Sequence, residues 1–363
     1  MRMILTTGLL TGMLAASAQA AAKHRSAVDL VFVIDTTSSM GGLLEAAKTK
    51  VWAIANEVAN GKPTPELRIG LVAFRDRGDA YLTKVSDLTK DLDKMYAELL
   101  ALRPEGGGDG PEHVLQALSE ASERISWSKD PKTFKVLYLV GDAPAHEDYR
   151  DTKPLAALVS DLVAKGVVVN TVQCGSGGQT QEQWTRIARS GEGRYIALAH
   201  DGGGTAPDTP FDGRLAELHG RLEGSVLAFG ARREETLSRL SSVRGMMSAA
   251  APAAAAERAA FKAGGAFSAD SDLLQAVEDK SVDLAALKED ELPSSLRGKD
   301  AAGRRQELET LRRQRAELKA EIAKTAKERD AWRKKNSTPQ KDSFDAKLIE
   351  TLKEQAARKG IAY

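Results

Sequence analysis

The chain has 363 residues, enough for one α/β domain of ordinary size plus an appended region. Its 52 Lys and Arg balance 51 Asp and Glu, so charge gives no reason to expect nucleic acid or an anionic membrane as the main partner. The one cysteine, Cys174, excludes an internal disulfide and a cysteine-built zinc site, and leaves stability to an apolar core.

Residues 1–20 read as a signal peptide: Arg2 supplies the positive end, Met3 to Ala16 the apolar run, and Ala18-Gln19-Ala20 the small-residue cleavage site. The run falls short of the roughly 20 apolar residues a membrane span requires, and Thr6, Thr7 and Thr11 interrupt it. The expectation is a periplasmic or secreted protein beginning near Ala21, with no membrane span after cleavage; an uncleaved anchor is the alternative.

From Ala27 to about Leu198, short β-branched apolar runs alternate with amphipathic stretches, the pattern of a mostly parallel sheet covered by helices on both faces. Strands are expected at Val28 to Ile34, Leu67 to Phe74, Phe134 to Val140, Val167 to Val172 and Arg194 to Leu198. Tyr81 to Val85 should form an antiparallel edge strand, because only a tight turn separates it from the strand before. Helices are expected at Leu43 to Ala59, Leu92 to Leu102, Pro111 to Ile125, Lys153 to Lys165 and Gln181 to Ser190. The fold class is therefore α/β, a doubly wound sheet over residues 27–200, followed by a C-terminal helical region.

Residues 201–212, rich in Gly, Pro and Asp, read as a linker. Across 213–363 the expectations are one helix from Gly213 to about Leu240, an Ala-rich run at Ala249 to Ala260 that Pro252 interrupts, and an amphipathic stretch from Asp272 to Leu287. Leu308, Leu311, Arg315, Leu318, Ile322, Thr325, Arg329 and Trp332 then follow a 3,4 alternation, a heptad-like seam within a coiled-coil candidate at 304–335. With polar residues in that seam, a solvated helix on a neighbour, or a hairpin with Phe344 to Ala357, is favoured over a long parallel coiled coil. Self-association through these helices is the third reading of the molecule.

Ligands of such sheets lie beyond the carboxyl ends of the strands, which directs attention to the loops after Ile34, Leu102 and Val140. The first holds Asp35, Thr37 and Ser39 in alternation, so that their side chains can turn to one side. The second is Gly106-Gly107-Gly108-Asp109-Gly110-Pro111-Glu112, and the third carries Asp142 in Val140-Gly141-Asp142-Ala143-Pro144. Carboxylates and neutral hydroxyls from three loops suit a hard divalent cation such as Mg²⁺, or Mn²⁺ or Ca²⁺ in its place. The bland alternative is that Asp35 and Asp109 cap helices and turns.

These residues resemble the von Willebrand factor A-like domain with its metal-ion-dependent adhesion site. The family's Asp-x-Ser-x-Ser, then Thr, then Asp falls on Asp35, Thr37, Ser39, the position of Asp109, and Asp142, with Gly-Gly-Gly-Asp-x-Pro-Glu similar to a variant of bacterial members. The resemblance spans about Ala27 to His200. It implies the doubly wound sheet, a bound cation, and a protein partner whose acidic group completes the ion's shell. Thr37 keeps the hydroxyl of the usual Ser. Asp109 in place of Thr adds a third carboxylate, which lowers the ion's pull on a partner's acid and reduces the need for one.

Other residues invite weaker readings. Arg77-Gly78-Asp79 spells an adhesion tripeptide but sits where turn chemistry favours Gly and Asp, with Asp76 and Asp79 expected to pair locally with Arg75 or Arg77. His146, close after Asp142, could serve as a general base to a metal-bound water, which makes a metal-dependent hydrolase the runner-up to a non-catalytic binding protein; a surface or supporting histidine is the plain reading, as for His113. The glycines of 106–110 lack the spacing and the Lys-Ser/Thr ending of a phosphate loop. Cys174 is expected in the core, and Trp52, Trp127 and Trp184 to pack rather than to form a platform for bases.

Overall fold

A computed structural model describes residues 26–108, 110–199, 208–248, 252–265, 271–336 and 344–363. The signal-peptide segment, Asp109 and most of the expected linker therefore lie outside the described residues.

The sheet is built from β1 (Ala27–Asp35), β2 (Glu66–Phe74), β3 (Thr83–Thr89), β4 (Phe134–Gly141), β5 (Val167–Cys174) and β6 (Glu192–Leu198). Their order is β3-β2-β1-β4-β5-β6, parallel except for the antiparallel β2–β3 pair. The helices α1 (Gly41–Ala59), α2 (Leu92–Ala101), α3 (Val114–Glu123), α4 (Leu155–Ala164) and α5 (Gly178–Ser190) connect them. The winding reverses at β1, which lies between β2 and β4. A crevice therefore opens beyond the carboxyl ends of β1 and β4, where Asp35 and Asp142 stand.

β1 is apolar from Leu30 to Ile34 because both its faces are covered there. Leu30, Phe32 and Ile34 pack with Leu43, Leu44, Trp52, Met95 and Leu99 of α1 and α2. Val31 and Val33 pack on the other face with Leu115, Leu118, Leu158 and Trp184 of α3, α4 and α5.

Beyond the sheet come α6 (Asp212–Gly224), α7 (Arg233–Ser248), α8 (Pro252–Gly264), α9 (Leu273–Glu278), α10 (Ala301–Asn336) and α11 (Phe344–Ala357). No helix among the described residues is long and apolar enough to cross a membrane.

Several expectations are corrected. β3 begins at Thr83, since Tyr81 is occupied with a side-chain bond to Thr36 at 2.6 Å. α3 begins at Val114, because residues before it pair with the Asp142 loop. The single helix from Gly213 to Leu240 is two. The chain leaves α6 at Ser225, whose Oγ accepts from Arg315 at 3.1 Å, and turns through Gly230 at φ +71°. The stretch from Asp272 is helical only to Glu278, and Lys280 follows at φ +57°.

The seam of α10 lies on α6 and α8, not on α11. Its polar members are buried rather than solvated, because each arginine meets carboxylates from the helices beneath. Arg315 pairs with Asp272 at 2.6 Å, and Arg329 with Asp212 at 2.5 Å and Glu257 at 2.6 Å. α11 instead belongs to the sheet's core, with Leu348, Leu352, Ala356 and Ile361 in the cluster that contains Phe32 and Tyr138. The Tyr138 hydroxyl donates to Leu348 O at 3.2 Å, and Asn170 and Gln355 exchange amide bonds at 3.0 and 2.7 Å.

Candidate metal centre

The backbone is extended through Thr37 and then tightens into a single 3-10 turn at Ser38–Met40, and the side chains of this loop divide its work. The odd-numbered residues face the crevice. Asp35 is buried, and its Oδ1 accepts from the Thr37 amide at 2.8 Å and the Thr37 hydroxyl at 2.7 Å. The Thr37 and Ser39 hydroxyls stand 3.3 Å apart. The even-numbered residues fix the loop to its neighbours. Thr36 donates through its hydroxyl to Phe74 O at 2.9 Å, and Ser38 donates to Gly106 O from both its hydroxyl, at 2.8 Å, and its amide, at 3.2 Å.

The glycine loop is held from two sides. Gly106 and Gly107 have φ of +82° and +81°, a region that disfavours any other residue, and a Cβ on Gly106 would stand 2.3 Å from Asp79 Oδ1. Both Asp79 carboxylate oxygens accept from the Gly107 amide, at 3.2 and 3.1 Å. Asp79 is thus the clasp of this loop, and it also bonds locally, its Oδ2 accepting from the Asp76 amide at 3.2 Å. The Asp76 carboxylate reaches beyond the turn and accepts from the Tyr149 hydroxyl at 3.1 and 3.0 Å. Arg75 donates to Arg103 O at 2.7 Å, and Arg77 pairs with Asp151 at 2.5 Å.

Farther along, Glu112 pairs by backbone with the Asp142 loop: its amide donates to Pro144 O at 2.9 Å and its carbonyl accepts from the His146 amide at 3.1 Å. Gln183 of α5 holds the same loop through the Ala145 amide at 2.6 Å. Asp142 itself follows Gly141, where a Cβ would stand 3.1 Å from Asp35 Cβ and 3.0 Å from the Trp184 ring. Glycine there lets the first and third loops close on each other.

The structure thus brings Asp35, Thr37, Ser39 and Asp142 to one crevice, and the glycine loop that carries Asp109 is bonded to both neighbours. Sequence reasoning passed over Glu112 as a site residue. Its side chain is 3% exposed, and its Oε2 has no hydrogen-bond partner among the described residues. The signal was present in Pro-Glu after the glycines, but the loop-to-loop pairing that turns Glu112 inward is a long-range feature. Among the described residues no three His, Cys, Asp or Glu side chains stand together at metal-ligand spacing.

The electrostatics are those of crowded, buried acids. Burial pushes Asp35 up to about 7, helped by Asp142 and opposed by its bonds from Thr37 and by the Arg75 charge. Burial pushes Glu112 up to about 9, and the charges of Asp35, Asp76 and Asp79 push the same way. Buried carboxylates in excess of nearby cations are costly unless a positive charge joins them. An all-oxygen set with an unsatisfied buried acceptor fits a hard divalent cation.

His146 lies at the rim. Its Nδ1 contacts Asp148 at 2.8 Å, its Nε2 stands 3.6 Å from Asp76, and its ring stacks on Tyr149 at 4.3 Å. His113 is wholly buried at the start of α3, where its Nδ1 accepts from the Gln116 amide at 3.2 Å. Cys174 is buried, and that burial raises its thiol far above the usual range.

Over this region the chain is similar to known proteins. The von Willebrand factor A domain family matches residues 29–209. von Willebrand factor A domain-containing protein 7 of Rattus norvegicus is 38% identical over 95 residues, 26% of this chain and 10% of that protein. An ariadne-like RING finger protein of Acanthamoeba polyphaga mimivirus is 23% identical over 156 residues, 41% of this chain and 14% of that protein. The chain therefore spans only 10% to 14% of the length of these curated relatives. Proximal thread matrix protein 1 from the mussel byssus is 20% identical in sequence, with 49% of this chain and 43% of that one covered at a TM-score of 0.38. Residues 29–209 of this chain are a von Willebrand factor A domain.

Proposed function

We propose that the chain is an exported, non-catalytic protein-binding protein that engages its partner through a divalent cation held by Asp35, Thr37, Ser39, Asp109 and Asp142. The observation that carries this reading is the meeting of three loops at the point where the sheet reverses its winding, with oxygen donors directed into the crevice. Mg²⁺ is the ion of choice, with Mn²⁺ or Ca²⁺ as substitutes. Bound there, the ion would supply a positive centre that neutralises the buried acids and attracts an oxygen from a partner surface. The chain's own residues do the rest. Thr37 fixes the Asp35 carboxylate through two bonds, Asp79 sets the glycine loop, and Gln183 holds the Asp142 loop.

Export rests on the character of residues 1–20, and the partner is a protein because that is the role the domain suggests. The test is capture from the native cell envelope with and without chelator. Association that disappears in chelator and in Asp35→Ala, with circular dichroism unchanged, is the expected result, and association that survives both sinks the reading.

A metal-dependent hydrolase is the second reading, favoured by the flanking of His146 by Asp148 and Asp76. It requires turnover in an esterase, phosphatase and peptidase screen, lost in His146→Ala with metal still bound. Self-association through the C-terminal helices has less support, since α6 and α8 already occupy the α10 seam.

A further inference from the structure

We propose that Glu112 is a further carboxylate of the cation centre, placed to accept a hydrogen bond from a water in the ion's hydration shell. The inference rests on the metal reading above and adds to it a residue beyond the five proposed to hold the ion.

Glu112 sits where the glycine loop ends, fixed by backbone bonds to Pro144 and His146 on the loop of Asp142. The residue is 3% exposed. It is directed at the first loop: a Cβ built on Gly107 would touch Thr37 Cβ at 3.2 Å and Glu112 Oε1 at 3.3 Å, so the two side chains border one small space. The other oxygen, Oε2, is buried and receives no hydrogen bond from any described residue. A buried carboxylate oxygen left so gives up its bonds to water and receives nothing in return. Such a group is retained where a ligand satisfies it.

The direct ligand shell is assigned to the five residues above. Among the described residues no three carboxylates stand together at ligand spacing, which places Glu112 outside that shell. Hard divalent cations keep several waters when bound by a few carboxylates, and each such water needs acceptors. Carboxylates in that outer position orient the shell and typically contribute about tenfold to hundredfold in affinity.

The test is titration of Mn²⁺ into the metal-free full chain by calorimetry, with electron paramagnetic resonance to count bound ions. Wild type, Asp35→Asn, Glu112→Gln and Glu112→Asp are compared, and thermal midpoints are recorded with and without Mn²⁺. The expected result is one Mn²⁺ on wild type, none on Asp35→Asn, and binding weakened about tenfold or more in Glu112→Gln. The metal-free midpoint of Glu112→Gln should equal or exceed that of wild type, because an uncompensated buried acid has been removed. Glu112→Asp, which keeps the charge, should retain more affinity than Glu112→Gln. Wild-type affinity in Glu112→Gln, with Asp35→Asn inactive, overturns the assignment and leaves the metal centre standing. Equal losses in both Glu112 variants together with lowered metal-free midpoints mark a purely structural residue and also overturn it. Failure of wild type to bind Mn²⁺ removes the metal reading itself.

Discussion

Single residues at the crevice show what a motif can and cannot convey. The grouping of Asp35, Thr37 and Ser39 is local, extended backbone aligning Asp35 with Thr37 and a 3-10 turn bringing the Ser39 hydroxyl beside that of Thr37, so the sequence discloses the residues themselves. Asp79 and Glu112 are different. Asp79 looks like a turn residue because it is one, and its second task on the Gly107 amide depends on a loop 28 residues away. Gly141 is also more than a loop residue, since its bare Cα lets Asp35 and the Trp184 ring approach. Gly141→Ala should push both, with a stability loss of about 1–3 kcal/mol and weaker Mn²⁺ binding, read by urea denaturation and calorimetry. An unchanged denaturation midpoint would show that the loops close without that contact.

Among the elements, β1 was the most legible: apolar on both faces from Leu30 to Ile34 and ending in the acid that opens the site. The helices after the sheet were the least legible, because their buried faces are partly ionic. Arg258 of α8 is wholly buried and pairs with Asp93 of α2 and with Glu223 of α6, while Lys262 joins the same Asp93. No apolar periodicity announces such an arrangement. Its loss is costly because the acids stay behind: Arg258→Ala should destabilise the chain by about 3–5 kcal/mol in equilibrium unfolding.

His219 belongs to this group and supplies a pH dependence. Burial lowers it to about 3, with the positive charges of Arg258, Lys262 and Arg244 acting the same way and Asp93 opposing. Glu223 lies 4.0 Å from its Nε2, and Arg258 donates to that nitrogen, which holds the ring neutral. The folded value is below the unfolded one, so between about pH 6.5 and 3 the unfolded chain binds the extra proton and stability falls as pH falls. From pH 7 to pH 4.5 this single group should remove about 2–3 kcal/mol. His219→Gln should lose less over the same interval in urea titrations at the two pH values; identical slopes would exclude the histidine as the cause.

On the scale of the whole molecule, the helical region and the sheet share structure in a way that their order along the chain conceals. Asn56 of α1 donates to Glu257 O at 2.9 Å, and α11 fills the face of the sheet beside α1. The run of residues 344–357 reads as an amphipathic helix in isolation, and only long-range packing decides which surface it covers. Leu352→Ala should cost about 2–5 kcal/mol, as for a core leucine, measured as a shift of the urea midpoint at constant slope. A shift typical of surface residues would place α11 outside the cooperative core.

The position of α11 also orders events in time. Leu348, Leu352, Ala356 and Ile361 lie against strands laid down some 150 to 330 residues earlier, and Ala362 closes a two-way backbone bridge with Lys62 at 3.0 and 2.8 Å. One face of the central sheet therefore stays open until residues 344–363 have left the ribosome. The crevice at Asp35 is mounted on strands that cannot reach their final packing before then, so the site should take shape only after this segment has been made, long after its own residues.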